Sequence, residues 1–148
     1  MIYYKEVDFL PDVPQELINS LEEIESFENV FPYPESRHTY ASYKVPRILQ
    51  NYLQEFFDYP VLVRYQIIRK NLPIHVDVGI TGIKYNYILD TGGENVITKF
   101  WDSVDNPKKI LFEVKIKQRF WHYLNIENPH NVVGVEKPRV SITVREKK

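Results

Sequence analysis

The sequence predicts a mainly β fold of α+β content, a jelly roll preceded by two helices. Three observations predict it. Apolar residues recur at helical spacing only within residues 1–60, whereas over 61–148 they alternate or run in short blocks. Turn-forming residues interrupt those blocks at near-even intervals. No helix-length segment separates the blocks, which argues against a parallel βαβ sheet.

The elements follow in order. "VPQELINSLEEIESF" (13–27) places Leu17, Leu21 and Ile24 on one helical face, with Pro14 suited to a first turn. The Pro- and Ser-punctuated stretch over 28–44 reads as an irregular loop. "VPRILQNYLQEFFDYP" (45–60) is a second amphipathic helix, with Ile48, Leu49, Tyr52, Leu53 and Phe56 on one side and Pro60 as its stop. Eight strands are then expected: 61–70, a short one around "HVDV" (75–78), 82–89, 95–101, 109–116, 119–125, 131–135 and 139–146. The breaks carry turn chemistry: Asn71 and Pro73, Asp90-Thr91-Gly92-Gly93, Asp105-Asn106-Pro107, Glu127-Asn128-Pro129 and Lys137-Pro138.

Length and composition bound the function. A chain of 148 residues suits a single domain, 1–148, with a helical preface over 1–60 and the jelly-roll core over 61–148. Eleven Tyr, eight Phe and two Trp suit β structure or an aromatic-lined pocket. A net charge of -1 without basic blocks argues against nucleic acid and for a small-molecule or peptide substrate. With no cysteine there is no disulfide, thiolate ligand or cysteine nucleophile, so any metal must be held by His and carboxylate, as iron, manganese or zinc can be. No leader-like or membrane-spanning run is present, and the expectation is a soluble cytoplasmic protein without a membrane partner.

One constellation carries chemistry. His75 and Asp77 stand two residues apart, so a strand puts both on one face, close enough to chelate one ion. His130, 53 residues beyond Asp77, can join them because sequence-distant strands lie side by side in a jelly roll. Two His and one carboxylate form a facial triad that leaves positions open on a metal. Nine residues after His130, "RVS" places Arg139 and Ser141 on one strand face, with Val140, Ile142 and Val144 on the other. A guanidinium fork beside a hydroxyl is a good carboxylate receptor.

In order and spacing, His75-Val76-Asp77, His130 and Arg139-Val140-Ser141 resemble the Fe(II)/2-oxoglutarate-dependent oxygenases. The resemblance covers 61–148, extends to none of the first 60 residues and assigns no subgroup. It implies a double-stranded β-helix in which His75, Asp77 and His130 bind Fe(II) as the catalytic centre. Arg139, assisted by Ser141, would hold the distal carboxylate of 2-oxoglutarate, while its keto acid end and O2 take the open metal positions. The implied reaction decarboxylates 2-oxoglutarate to succinate and hydroxylates a C–H bond of a small metabolite, amino acid or peptide side chain. The carboxylate ligand Asp77 favours hydroxylation over halogenation.

Alternation supplies the remaining candidates. Asn86, or Tyr85 or Tyr87 beside it, could donate to the cosubstrate, and Tyr65 and Arg64 are similar candidates one strand earlier. Thr98 and Trp101 are pocket-lining candidates, although aromatic residues in strands read first as core. His122, among bulky neighbours, reads as a packed or edge histidine, and His38 as a surface residue. Only the loops at 28–44 and 102–108 leave room for a substrate lid. Two other readings share these residues: a cupin-like metal enzyme using the triad without a keto acid, and a non-catalytic jelly-roll binding module.

Overall fold

The computed structural model describes residues 1–77 and 83–147. Among them, ten strands form two antiparallel sheets. The strands are β1 (Tyr4–Glu6), β2 (Tyr40–Lys44), β3 (Val61–Ile68), β4 (Leu72–His75) and β5 (Lys84–Asp90). The chain continues through β6 (Ile97–Trp101), β7 (Ile110–Val114), β8 (Trp121–Leu124), β9 (His130–Val133) and β10 (Arg139–Glu146). One sheet runs β1-β8-β5-β10-β3-β2 and the other β4-β9-β6-β7, so sequence-distant strands are neighbours, as a jelly roll requires. Expected starts and ends at Val78 and Gly82 lie outside the described residues.

β10 is the spine of the larger sheet. All eight of its residues pair with β3, from Arg139 opposite Ile68 to Glu146 opposite Val61. Its other edge pairs with β5, with a register shift between Val140 and Ser141. Alternation then gives the sheet two unlike faces. Val140, Ile142 and Val144 join Val63, Tyr65, Ile67, Tyr87 and Trp121 in the main core. The preface covers that outer face with Leu10, Val13, Ile24, Leu49 and Leu53. Leu49 and Leu53 are fully buried, and each such side chain stabilises by about 1.5–3 kcal/mol.

The preface departs from its expected form. The first helix reduces to one 3-10 turn at Gln15–Leu17 and to α1 (Leu21–Glu25). Asn19 interrupts it because its backbone N–H donates to Tyr65 Oη at 2.9 Å and its Oδ1 accepts from the same hydroxyl at 2.9 Å. Ser20 then starts α1 afresh through a capping box with Glu23. The second helix, α2 (Arg47–Gln54), is shorter than 45–60 because the Gln54 side chain turns to bond Tyr59 O and Val61 N–H. Ile48, expected on its apolar face, is 64% exposed. The expected irregular loop contains β2, whose Ala41 and Tyr43 bury against β3, and the N-terminus supplies β1 against β8. No helix among the described residues is long and apolar enough to cross a membrane.

Candidate metal centre

β4 and β9 are antiparallel neighbours, and their register sets His75 directly opposite His130. Asp77, just past β4, is held by its N–H donating to Ile126 O at 3.2 Å. Its Oδ1 lies 3.3 Å from His75 Nε2 and 3.5 Å from His130 Nε2. One ligand atom from each of the three side chains falls within 4.8 Å of the others, and this is the one such group among the described residues.

Backbone carbonyls orient both rings. His75 Nδ1 lies 2.8 Å from Pro73 O, and His130 Nδ1 lies 2.7 Å from Asn128 O. A neutral ring that donates from Nδ1 to a carbonyl presents its Nε2 lone pair to the shared point, as metal-binding histidines do. Burial brings His130 down to about 4, which keeps its ring neutral near pH 7. His75, more open, moves up because its hydrogen bond to Asp77 outweighs burial. Burial alone would raise Asp77, yet the His75 hydrogen bond and the fields of Lys84, His130 and His75 bring it down to about 2. The donor set is two imidazole nitrogens and one ionised carboxylate, which fits a borderline divalent ion such as Fe(II).

The Lys84 ammonium, at the start of β5 in the larger sheet, bears on Asp77, His75 and His130. Lys84 shares the sheet's inner face with Asn86 on β5, opposite Arg145 and Thr143 of β10. Arg139, Ser141, Asn86 and His122 are all buried there, and Asn86 pairs directly with His122. Three of their atoms, Arg139 Nη1, Asn86 Oδ1 and His122 Nε2, have no hydrogen-bond partner among the described residues. Arg139 is only 6% exposed, and burial brings it down to about 10 with no carboxylate ion-paired to it among the described residues. Ser141 Oγ donates to Gln66 Oε1 at 3.4 Å. An unpaired buried guanidinium costs several kcal/mol of desolvation, on the order of that for any buried ion, unless a ligand answers it.

The structure therefore brings together His75, Asp77 and His130, and lines the interior with Arg139, Ser141 and Asn86. It does not bring Tyr65 to them. Tyr65 lies on the opposite face, buried in the main core, with its hydroxyl committed to Asn19. Tyr87 is on that outer face too, its ring tilted against Trp121 with centroids 4.9 Å apart. Thr98 is buried, whereas Trp101 donates its indole N–H to Asn131 at 2.9 Å. Two interior residues carried no expected role at the site, although His122 is packed as expected. His122 is fully buried, brought down to about 4 by burial, and it senses both Arg139 and Lys84. Lys84 shares the Asn86 face, and that alternation was the available signal for it.

No family model matches the chain, and no curated protein matches it in sequence. Its fold matches solved structures. Fe(II)-HppE with the alternative substrate (S)-1-HPP gives a TM-score of 0.50 at 13% identity, over 90% of this chain and 62% of that one. Vicilin from Corylus avellana (hazelnut) also gives 0.50, at 9% identity, over 86% of this chain and 36% of that one. At such identities the likeness is one of fold, a cupin-like pair of sheets, and the chain spans less than two thirds of either protein.

Proposed function

We propose that this chain is a mononuclear Fe(II) oxygenase that uses 2-oxoglutarate to hydroxylate a C–H bond. The observation that carries the reading is the pairing of a His75, Asp77, His130 cluster with a buried Arg139 that has no counter-ion among the described residues. His75, Asp77 and His130 would hold the iron through two Nε2 atoms and one carboxylate oxygen. Bound iron supplies the redox chemistry by which O2 oxidises the keto acid to succinate and CO2 and a substrate C–H bond to an alcohol.

The chain's own residues do the positioning. Arg139 and Ser141 would receive the distal carboxylate, in an interior dry enough to strengthen a charged pair. His122 and Asn86, paired across β8 and β5, have unpartnered atoms that would flank the cosubstrate. Which of its two amide atoms Asn86 presents is set by the ligand, because the amide can turn over. Neutral His122 adds no competing charge beside Arg139. Arg139 is buried on the inner face, which keeps its guanidinium from water.

The test is anaerobic addition of Fe(II) and 2-oxoglutarate to the purified protein. A weak visible charge-transfer band is expected. Iron binding without the band would favour a cupin-type metal enzyme without a keto acid, a reading supported by the fold likeness to Fe(II)-HppE. Arg139 would then receive an anionic group of the substrate itself. Absence of metal binding would leave a jelly-roll binding module.

A further inference from the structure

The interior holds cations that neither the triad nor Arg139 uses. Lys84 opens β5, and in the antiparallel register it lies directly opposite Arg145 of β10. Arg64 of β3 stands opposite Thr143, two residues along β10 and so diagonal to Arg145. Arg64 also faces Lys44 of β2 directly. Like charges opposite one another across strands are destabilising, so this placement works against the sheet unless something answers it.

No carboxylate answers it. Among the described residues none of Lys84, Arg64 and Arg145 is ion-paired, whereas neighbouring Lys44 is paired with Glu28 at 2.9 Å. The Arg64 Nη1 donates only to the Val63 carbonyl, at 3.0 Å. Burial and the field of Arg145 bring Arg64 below its usual range, against a weaker pull from Glu28. All three side chains are half-buried rather than splayed into solvent.

Their position separates them from the Arg139 receptor. Arg145 lies six residues beyond Arg139 on one strand, about 20 Å at the usual rise per residue. Arg139 sits opposite Ile68, which belongs to an apolar cluster with Val96 and Val132. The Lys84 charge bears on Asp77. One short dicarboxylate cannot fill both places, which leaves Lys84, Arg64 and Arg145 as a second anion receptor on the same inner face.

We propose that Lys84, Arg64 and Arg145 bind a dianionic oxyanion, of phosphoryl type, carried by the small-molecule substrate that reacts at the triad. The proposal rests on the triad being the metal centre. Three cations exceed what one carboxylate neutralises, and two guanidinium forks match the oxygens of a phosphoryl group. The net charge of -1 and the placement on an inner face favour a small molecule over a nucleic acid strand.

The probe is inorganic phosphate, titrated by calorimetry into the full chain at constant ionic strength, in parallel with Co(II). Saturable phosphate binding is expected, weakened about tenfold in each of Arg64→Gln and Arg145→Gln, a loss of about 1.4 kcal/mol apiece. Arg64→Lys should recover part of it, and Co(II) affinity should hold in all three variants. Absence of saturable binding, or affinity unchanged in both Gln variants, would overturn the proposal. Tighter binding of a short single-stranded oligonucleotide through the same residues would overturn the small-molecule assignment. Loss of Co(II) binding with phosphate binding intact would sink the metal reading and leave the oxyanion receptor standing.

Discussion

His75 and His130 face each other across β4 and β9 with ring centroids 4.4 Å apart, and Asp77 Oδ1 lies within 3.5 Å of both Nε2 atoms. Two rings pinned by carbonyls two residues earlier, and one aspartate whose backbone N–H is tied to a neighbouring loop, form a site whose geometry is set before any ligand arrives. Such preorganisation has measurable consequences.

Removing one ligand should abolish tight metal binding. Outer-shell changes cost about 10–100-fold in metal affinity, so His130→Ala should cost at least about 100-fold. Co(II) at 100 times its dissociation constant stabilises a folded protein by about 2.7 kcal/mol. Thermal melts with and without Co(II) should therefore separate for the native chain and coincide for His130→Ala.

Arg139 sets function against stability. Arg139→Met removes a buried, unpaired charge, so the metal-free protein should gain about 1–3 kcal/mol in urea denaturation. The same variant should lose about 2–5 kcal/mol of 2-oxoglutarate affinity while retaining iron. Equal keto acid affinity in both proteins would remove Arg139 from the receptor.

His122 should make stability fall with acid. Its pKa is about 4 in the folded protein, and its ordinary value is 6.5, so the unfolded chain takes up the proton first. Stability from the neutral buried ring is fully present above pH ~6.5 and is lost as pH falls toward ~4, up to roughly 3 kcal/mol. His130 titrates in the same direction, so the comparison that isolates His122 is native against His122→Gln. The variant should show the shallower decline in urea denaturation between pH 7 and 4. Parallel curves would mean that the protonated ring finds water or a partner.

Gly92 couples a turn to the anion receptor. Its φ is +85, and a Cβ there would stand 2.8 Å from Arg139 Cβ and 3.0 Å from Lys137 O. Gly92→Ala should destabilise by about 1–3 kcal/mol. It should also weaken 2-oxoglutarate binding by displacing Arg139, without affecting Co(II) affinity, both measurable by calorimetry.

Residues that act through local order were legible in the sequence. His75 and Asp77 share a face by period two, and β10 matches its expected span of 139–146. Most turn clusters marked strand breaks because Gly frees the backbone for tight turns while Pro and Asn bias it locally, but Pro73, expected in a break, lies inside β4. Less was legible where long-range pairing decides. β1 and β2 are strands because β8 and β3 offer open edges, a reason absent from their own residues. Tyr65 was misplaced for a related reason. Alternation sorts a strand into two faces, but it does not say which is inward when the preface buries the outer one. Lys84 and His122 are legible only once β5 lies beside β8 and β10.

The two unlike faces of β10 also act as a check on assembly. A slip of one residue against β3 would turn Arg139 and Ser141 toward Ile24, Leu49 and Leu53, and send Val140, Ile142 and Val144 into the polar chamber. Greasy packing outside and charged recognition inside thus vote for the same alignment. A chain that folds in the wrong frame loses its cohesion and its chemistry together, so misaligned molecules are discarded by instability and cannot persist as stable but inert copies.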